Sequence, residues 1–567
     1  MRWLLFIIPV CVWSAGPGTT QADFDKLVDR YFDDFYHYNP TQATSDGFHQ
    51  YDAQLEDHSL AVTATRIRSL ERFLAEFEHF PASGLSPGDV TDRDLVVHTI
   101  QSQLLTLENI RPWETNPDKY SSGITNAAFV IMSRSFAPPE ERLKSLIARE
   151  RLMKNALGQA RSNLRNPPRI YTEVALEQLP GIIGFFKNDV PAAFHKVTNP
   201  KLLDEFHVSN QAVIDALGEY QKFLKNDLLP RSKGDFRIGA ENFSKKLAYD
   251  EMVDLPLDKV LAVGYQNLRE NQRRFRETAA RIDAHRAPEQ ILQEIEKDHP
   301  PASGLLQALR DVLGDLRQFI VDHKIVTVPS TVMPIVQETP PFMRALSTAS
   351  MDTPGPFEKV ATEAFFNVTL PQPDWSHERM ESYMEAFSRG TVISTAVHEV
   401  FPGHYTQFLW VQNAPTKVRK LIGTNTNAEG WAHYCEQMML DEGYGAGDLK
   451  LRLGQLQDAL LRNARYIVGI EMHTGKMTFA QGVDFFVKEG HQTQAMAEVE
   501  TKRGTSDPTY LVYTLGKLEI LKLREDYRKQ RGASFTLLDF HDKFLAQGYP
   551  PIKIIRRDML GNDSPIL

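Results

Sequence analysis

Residues 304–323 read GLLQALRDVLGDLRQFIVDH, and their pattern decides the fold class that the sequence predicts. Apolar side chains recur at intervals of three and four, at Leu305, Leu309, Val312, Leu316 and Ile320. On an α-helix these positions share one face, and most of the charged residues lie on the other. The stretch therefore predicts an amphipathic helix that buries one side against its neighbours.

The same periodicity extends through much of the chain. It occurs at 141–165, 208–230, 256–283, 448–472, 511–530 and 535–546. Breaks rich in proline and glycine separate these stretches, at 80–89, 111–123, 299–304 and 328–342. Because proline removes a backbone donor and ends helices, the breaks predict loops, and the last is the best candidate for a boundary between two regions.

A little β structure is predicted by TEAFFNVTLPQP, residues 362–373, where β-branched and aromatic residues run into prolines. The predicted fold class is therefore mainly α with a small β element. A helical region over 23–342 precedes the boundary. The region after it, 343–567, carries the residues with recognisable chemistry.

Composition and charge exclude one class of partner. The chain has 567 residues, of which 42% are apolar, so it can form sizeable cores. Its formal charge is −9 and its pI is near 6.0, with both signs mixed along the chain. Nucleic-acid binding needs a surplus of basic residues, which this chain lacks, so no nucleic-acid partner is expected.

The N-terminus, MRWLLFIIPVCVWSAGPGTTQA (1–22), has a basic residue, an apolar run and then small residues, the layout of a secretory signal peptide. The run is too short to span a bilayer, so no stable membrane span is expected after signal removal. Cleavage is predicted after Ala22, with Gly16 as the competing site, and an uncleaved anchor is the minority alternative. The sequence thus predicts an exported protein, periplasmic or secreted.

Lipid anchoring is not expected, because IPVC lacks the small residues that should precede a lipidated cysteine at position 11. After signal removal Cys435 is the remaining cysteine, so no internal disulfide can form. Cys435 lies in an apolar helical pattern, where a buried and inert thiol is expected.

A candidate metal site begins at residues 398–407, HEVFPGHYTQ. Zinc peptidases place two histidines at i and i+4 of one helix, with a glutamate directly after the first. Here His404 lies six residues after His398, roughly 120° away around an undisturbed helix. Pro402 and Gly403 require the helix to bulge or to break between them. The stretch is either a bulged zinc helix or a helix end.

A third candidate ligand follows closely, as a catalytic zinc ion needs three protein ligands and one open position. Glu429 lies 25 residues after His404, in NAEGWAHYCE (427–436), a stretch with helical apolar spacing. Glu429, His433 and Glu436 share one face of that predicted helix. If Glu429 binds metal, Glu436 can accept a hydrogen bond from a ligand histidine and fix its tautomer.

Four stretches together resemble the bacterial DUF885 family: PTQATSDGFHQYD (40–52), HEVFPGHYTQ (398–407), EGWAHYCE (429–436) and RGTSDPTYLVYTLGK (503–517). The resemblance covers essentially the whole mature chain, 23–567, and the HE-x-x-PGH-x-x-Q and EGWA-x-Y-x-E signatures are specific. The family is similar to helical zinc peptidases of the H-E-x-x-H plus glutamate class. This implies one continuous, large helical domain of two lobes with a cleft, the small β element lying near the active site.

The resemblance also implies roles for the site residues. His398, His404 and Glu429 are the expected ligands of a Zn²⁺ ion, and Glu399 is the expected catalytic base toward a zinc-bound water. His433 stands where the family pattern is open, so it is not an expected ligand, and an ordinary hydrogen-bonded histidine is predicted there.

Two further catalytic residues are predicted from the chemistry of such a site. The tetrahedral oxyanion needs a donor besides the metal, and the phenol of Tyr513 is the first choice. Arg503 or Arg465 can hold a substrate carboxylate in bidentate fashion. The alternatives are a core tyrosine and arginines in surface ion pairs.

Substrate binding is predicted at Arg465 and His473, in RYIVGIEMHTGKMT (465–478), which resembles a further stretch of the family. An ordinary hydrogen-bonded role is the alternative for His473. The stretch departs from the family pattern at Gly469, Glu471 and Met477, where an aspartate, a glycine and a tryptophan would stand. The departure bears on substrate recognition more than on metal binding.

Three functions are compatible with these residues. The prediction is an exported zinc metallopeptidase that hydrolyses short peptides or peptide-like amides. A metal-dependent hydrolase of a non-peptide bond shares the same site and differs in pocket shape. A non-catalytic peptide-binding or structural helical protein is the third possibility, and Glu399, placed where a base would be, argues against it.

Overall fold

The computed structural model of the protein describes residues 21–340, 344 and 348–567. The predicted signal peptide, 1–22, lies outside these residues except for Gln21 and Ala22, which begin the first helix. Signal cleavage and the exclusion of lipid attachment at position 11 therefore stay predictions.

Helices make up most of the described chain, which confirms the predicted fold class. Before the sheet they are α1 (Gln21–Tyr38), α2 (Pro40–Asp46), α3 (Leu60–Glu78), α4 (Pro87–Leu104), α5 (Pro112–Thr115), α6 (Asp118–Met132), α7 (Pro139–Asn163), α8 (Arg169–Gly184), α9 (Val190–Ala193), α10 (Pro200–Phe223), α11 (Leu229–Arg231), α12 (Gly239–Glu251), α13 (Leu257–Ile282), α14 (Pro288–Ile295) and α15 (Leu305–Asp322). Short π-helical turns continue α4, α8 and α10.

Apolar periodicity locates most of the long helices within a few residues, but α10 begins at Pro200, ahead of the predicted start at 208. The stretch at 304–323 forms α15 and buries Leu305, Leu309, Leu313, Leu316 and Ile320. The break predicted at 111–123 is partly wrong, because α6 begins inside it at Asp118. Pro112 opens α5, where the first helical turn needs no amide donor, so this proline starts a helix instead of ending one.

A three-stranded sheet follows α15, formed by β1 (Ile335–Glu338), β2 (Ala349–Asp352) and β3 (Phe365–Val368). The order is β1-β3-β2, with β1 parallel and β2 antiparallel to β3. β3 is the predicted β element. β1 lies within the proline-rich stretch that was predicted only as non-helical, in the proline-free gap between Pro334 and Pro340.

The helices after the sheet carry the candidate site. They are α16 (His377–Met384), α17 (Arg389–Glu399), α18 (His404–Val411), α19 (Lys417–Leu421), α20 (Asn425–Asp441), α21 (Leu449–His473), α22 (Phe479–Lys488), α23 (Gln494–Ser506), α24 (Val512–Arg531), α25 (Leu537–Leu545) and α26 (Ile552–Leu560). None of the described helices is both long and apolar enough to cross a membrane.

The largest hydrophobic core packs α15 and the sheet against α17, α18, α20 and the last helices. Cys435 of α20 is fully buried in this core, and burial raises the pKa of its thiol well above the ordinary value, as an inert cysteine requires. A second core joins Leu268 and Phe275 of α13 to Tyr466 of α21. Helices from both sides of residue 342 thus share a core, and the boundary there stays a prediction.

A buried carboxyl in α7 makes the stability of the fold pH-dependent. Glu150 is 1% exposed, and Ser209 Oγ donates a hydrogen bond to it at 2.5 Å. Burial raises the pKa of Glu150 from 4.5 to about 8. The folded state binds the Glu150 proton more tightly than the unfolded chain does. The stability that this proton contributes is therefore complete below the pKa of Glu150 in the unfolded chain, and it is lost as the pH rises through the pKa of Glu150 in the folded protein.

We expect Glu150→Gln to remove this pH dependence, since an amide stays neutral and still accepts from Ser209. Relative to the native protein, its free energy of unfolding should rise by on the order of 2 kcal/mol between about pH 5 and about pH 7, measured by denaturant unfolding. Glu141→Gln, at the exposed start of α7, is the control. The same trend in both variants would contradict the assignment to Glu150.

Candidate metal centre

The two histidines of HEVFPGH lie on different helices. α17 ends at Glu399 and α18 begins at His404, so the helix breaks and does not bulge. The turn folds back onto α17, because the Gly403 amide donates to the Val397 carbonyl at 3.0 Å. A Cβ at Gly403 would lie 1.8 Å from the His398 carbonyl oxygen, so this return requires glycine.

The break brings three predicted ligands together. Among the described residues, His398, His404 and Glu429 form a group whose ligand atoms all lie within 4.8 Å of one another. Glu429 Oε2 lies 3.3 Å from His398 Nε2 and 3.6 Å from His404 Nε2. The two imidazole rings are nearly perpendicular, with centroids 4.9 Å apart.

The environment of Glu429 shows that the three side chains could hold a metal ion. Its Oε2 atom is buried and lies at ion-pair distance from both imidazoles, but it makes no well-formed hydrogen bond to either. A buried carboxylate oxygen without a well-formed hydrogen bond is costly, and a cation held between the three side chains would remove that cost. Two imidazole nitrogens and one carboxylate oxygen are also a donor set of catalytic zinc sites.

Glu436 orients the His398 imidazole by contacting the ring nitrogen that does not face Glu429. Its Oε1 atom lies 2.7 Å from His398 Nδ1, so the Nδ1 proton is engaged and Nε2 faces Glu429. Its Oε2 atom lies 3.0 Å from His433 Nδ1, and Arg462 Nη2 lies 2.9 Å from Oε1. His433 is therefore the hydrogen-bonded histidine that the sequence predicts.

Charge pairing outweighs burial in setting the pKa values of Glu436 and His398, whereas burial prevails at His433. Burial alone would raise the pKa of Glu436, but Arg462 and the neighbouring histidines hold it well below the ordinary value. Burial opposes protonation of His398, yet Glu429 and Glu436 raise its pKa to about 10 in the metal-free protein. Burial, with the nearby Lys517 charge, lowers the pKa of His433 to about 3, so His433 is neutral. Against the effect of burial, His398 and His404 hold the pKa of Glu429 well below its ordinary value, so this carboxylate stays ionised and can hold a cation.

Glu399 adjoins both the ligands and the sheet. The backbone amide of Met351, in β2, donates a hydrogen bond to Glu399 Oε2 at 2.9 Å. The charge of Glu399 also contributes to the raised pKa of His398, so the two groups are neighbours. Glu399 therefore lies between the helix that carries His398 and the strand β2.

Close helix packing brings Tyr513 to the centre. α20 and α24 cross at Gly430 and Gly516, where a Cβ at Gly516 would lie 1.8 Å from the Thr426 carbonyl oxygen. The Tyr513 ring lies parallel to that of His398, at 6.4 Å between centroids. Burial and the Glu429 charge raise its pKa, so the phenol keeps its proton and can donate.

The two predicted arginines differ in availability. Arg503 is 40% exposed in its side chain and lies 3.4 Å from the Tyr513 hydroxyl and 3.2 Å from Asp507 Oδ2. Arg465 is half-buried and donates from Nε and Nη2 to the Glu500 carboxylate, at 2.7 and 2.8 Å. Its guanidinium also lies 5.1 Å from the centroid of the Tyr513 ring, and substrate binding by Arg465 stays a prediction.

His473 has a structural place. It is fully buried, its Nε2 lies 2.8 Å from the Gly504 carbonyl oxygen, and the Ile238 amide donates to Nδ1 at 3.4 Å. Both ring nitrogens are therefore occupied by backbone groups. The hydrogen-bonded alternative describes this environment, and substrate binding by His473 stays a prediction.

Several residues that support the metal centre lie outside the motifs from which it was predicted, or have a role that no motif indicated. Arg462 reaches Glu436 from α21, and the Met351 amide reaches Glu399 from a strand outside the predicted β stretch. The indole of Trp431 donates to the Pro402 carbonyl at 2.8 Å and holds the turn between the two histidines. Of these, Trp431 could have been found, since it lies in the EGWA signature.

Two solved structures share this fold over nearly their whole length. A candidate lipoprotein of unknown function from Shewanella oneidensis is 26% identical, with a TM-score of 0.80 over 95% of this chain and 99% of that one. A candidate lipoprotein from Colwellia psychrerythraea is 15% identical, with a TM-score of 0.81 over 96% of this chain and 99% of that one. The second likeness shows the fold alone.

A comparison with curated proteins finds no match. Residues 40–559 match a family described as bacterial protein of unknown function (DUF885). All four stretches that carry the resemblance lie inside this range, including both signatures that supply the candidate ligands. The chain therefore belongs to the DUF885 family.

Proposed function

We propose that the chain is an exported zinc-dependent metallopeptidase that hydrolyses short peptides or peptide-like amides. The observation that carries the proposal is the position of the buried Glu429 Oε2 atom, 3.3 Å from His398 Nε2 and 3.6 Å from His404 Nε2, with no well-formed hydrogen bond to either. These three side chains would hold the ion. When bound, zinc acts as a Lewis acid that makes water acidic and polarises a carbonyl group.

Side chains around the metal centre would supply the proton transfer, the orientation of a ligand and the stabilisation of the oxyanion. Glu399 takes a proton from the attacking water and passes it to the leaving amine. Glu436 keeps His398 in the tautomer that presents Nε2. Tyr513 donates its phenol hydrogen toward the oxyanion, with Arg503 beside its hydroxyl.

The position of β2 supports a peptide substrate over other hydrolysable bonds. In the described chain β2 pairs only with β3, and its Met351 amide points at Glu399. An extended peptide can align along the outer side of such a strand, and its backbone would then pass the catalytic base. A compact ester or phosphate would make no use of this edge.

Export is supported by the N-terminal pattern and by the names of the two similar structures. Both names describe candidate lipoproteins, and lipoproteins are exported. These names weigh against our expectation that lipid anchoring is absent. Lipid attachment at position 11 is therefore an alternative way in which the exported protein is processed. Mass spectrometry of the protein from the membrane fraction distinguishes a lipid-anchored chain from one whose signal peptide has been removed.

The test is hydrolysis of a peptide library by the zinc-loaded protein, read by mass spectrometry. We expect cleavage that a chelator abolishes and added zinc restores. Cleavage of esters but no peptides would favour the non-peptide hydrolase. Tight peptide binding without hydrolysis of any member would favour the binding protein and overturn the proposal.

A further inference from the structure

A cavity of about 360 Å³ lies between the N-terminal helices and the loop that leads into α20. Its lining comes from α1, α2, α4 and α12 on one side and from residues 421–425 on the other. None of the three candidate metal ligands lines it. The volume suits a small ligand or one end of a peptide.

The lining is acidic. Asp46, Asp250 and Glu251 contribute carboxylates, and no lysine, arginine or histidine is among the lining residues. Lys246 pairs with Asp250 at 2.5 Å from outside the lining, and within the described part of the chain neither Asp46 nor Glu251 forms an ion pair. Burial raises the pKa of Asp46 to about 6 and that of Glu251 to about 7. A bound cation would favour the charged form of both groups.

The Asp46 carboxylate accepts from the Tyr36 hydroxyl and from the Gln42 amide, each at 2.9 Å, whereas other acceptors in the lining lack a donor. The Oε1 atom of Gln103 is buried and has no hydrogen-bond partner. Both hydrogen bonds to Glu251, from the Thr426 amide at 3.1 Å and the Thr426 hydroxyl at 2.5 Å, go to Oε2. Acceptors without donors favour a ligand that brings N–H groups.

Aromatic rings form the rest of the wall, from Tyr31, Phe32, Phe35, Tyr36 and Tyr249. Rings attract an ammonium group through their faces, and a site shielded from water strengthens this attraction. The Phe32 ring already has the Lys417 ammonium 5.3 Å from its centroid, which shows that this wall accepts an organic cation. Acidic groups beside aromatic rings favour such a cation over a metal ion, which gains little from phenyl rings.

The cavity lies close to the metal centre along α20. Asn425 lines the cavity, and Glu429 follows four residues later on the same face of the helix, at an axial rise of about 6 Å. An extended peptide covers this rise with about two residues. On the opposite wall, the Asp46 carbonyl accepts from the Phe357 amide at 3.0 Å, which ties α2 to the segment after β2.

We propose that this cavity binds the free α-ammonium group of the substrate, so that the metal centre acts on short peptides with an unmodified N-terminus. The inference rests on the proposed function for its catalytic part only. Asp46 and Glu251 pair with the ammonium charge, Gln103 Oε1 accepts one of its hydrogens, and the rings cover it.

Binding tests this without requiring hydrolysis. The zinc-loaded Glu399→Gln protein is titrated by calorimetry with Ala-Ala amide and with N-acetyl-Ala-Ala amide, which differ in the charged amine. We expect the free amine to bind at least about ten-fold more tightly. Adding Asp46→Asn should abolish the preference, and adding Tyr249→Ala, a half-buried wall residue, should weaken it.

Asp254→Asn, an exposed acid outside the cavity, is the control and should leave the preference unchanged. Equal affinities for the two peptides, no binding of either, or a preference that survives both cavity variants would overturn the inference. If the preference holds but the native protein cleaves neither peptide, the ammonium site stands and the proposed peptidase activity fails.

Discussion

Glu399→Gln is expected to lower kcat/KM for peptide hydrolysis by about 10²–10⁴-fold, the range for loss of a general base. The amide cannot accept a proton from water, yet it matches the carboxylate in size. Its oxygen can still accept the hydrogen bond that the Met351 amide donates at 2.9 Å. The turn and the sheet should therefore stay in place, and zinc content should equal that of the native protein.

The measurement is steady-state hydrolysis of the best library peptide, with zinc determined on the same samples. Glu378→Gln, on the exposed face of α16, is the matched control and should keep native activity. A Glu399→Gln protein that retains zinc and native activity would remove Glu399 from the mechanism. Loss of zinc together with activity would instead give it a role in the structure of the metal site.

Glu436→Ala is expected to destabilise the metal-free protein by about 3–5 kcal/mol, the usual cost of removing one partner from a buried ion pair. The Glu436 side chain is fully buried and meets Arg462 at 2.9 Å, His398 at 2.7 Å and His433 at 3.0 Å. Alanine would leave the Arg462 charge and two imidazoles without their acceptor. Denaturant unfolding measures the change.

The control is Glu498→Ala, an exposed glutamate of α23 that should change the free energy of unfolding little. Glu436→Gln keeps the volume and one acceptor, so it should unfold closer to the native protein. Its zinc affinity should still fall by about 10–100-fold, because the partner that orients His398 has changed. Equal stability of Glu436→Ala and Glu498→Ala would contradict the buried network.

Local patterns were sufficient for most of the fold. The helices from α7 to α25 that the apolar spacing predicts begin and end within a few residues of the expected positions, except that α10 starts earlier. β1 was out of reach, since a four-residue strand depends on pairing with β3, thirty residues away in register. The loop predicted at 111–123 was partly wrong because a proline that opens a helix, as Pro112 does, cannot be told in sequence from one that ends a helix.

In the candidate site, too, some residues could be predicted from the sequence and others could not. His398, His404 and Glu429 stand in signatures and could be named from the sequence. The break between the histidines could not be told from a bulge, because contacts such as Gly403 to Val397 and Trp431 to Pro402 form only in three dimensions. Arg462 and the Met351 amide come from separate elements. The partners of Arg465 and His473, which are Glu500 and the Gly504 carbonyl, lie on α23 and could not be paired with them from the sequence.

Metal content is the most direct test of the central claim, that His398, His404 and Glu429 hold a zinc ion across a broken helix. Elemental mass spectrometry is run on the chain from residue 23, native and as His404→Ala and Glu429→Gln. We predict about one zinc ion per native chain and its loss in both variants. No metal in the native protein after incubation with zinc, or unchanged zinc in the variants, would contradict the assignment.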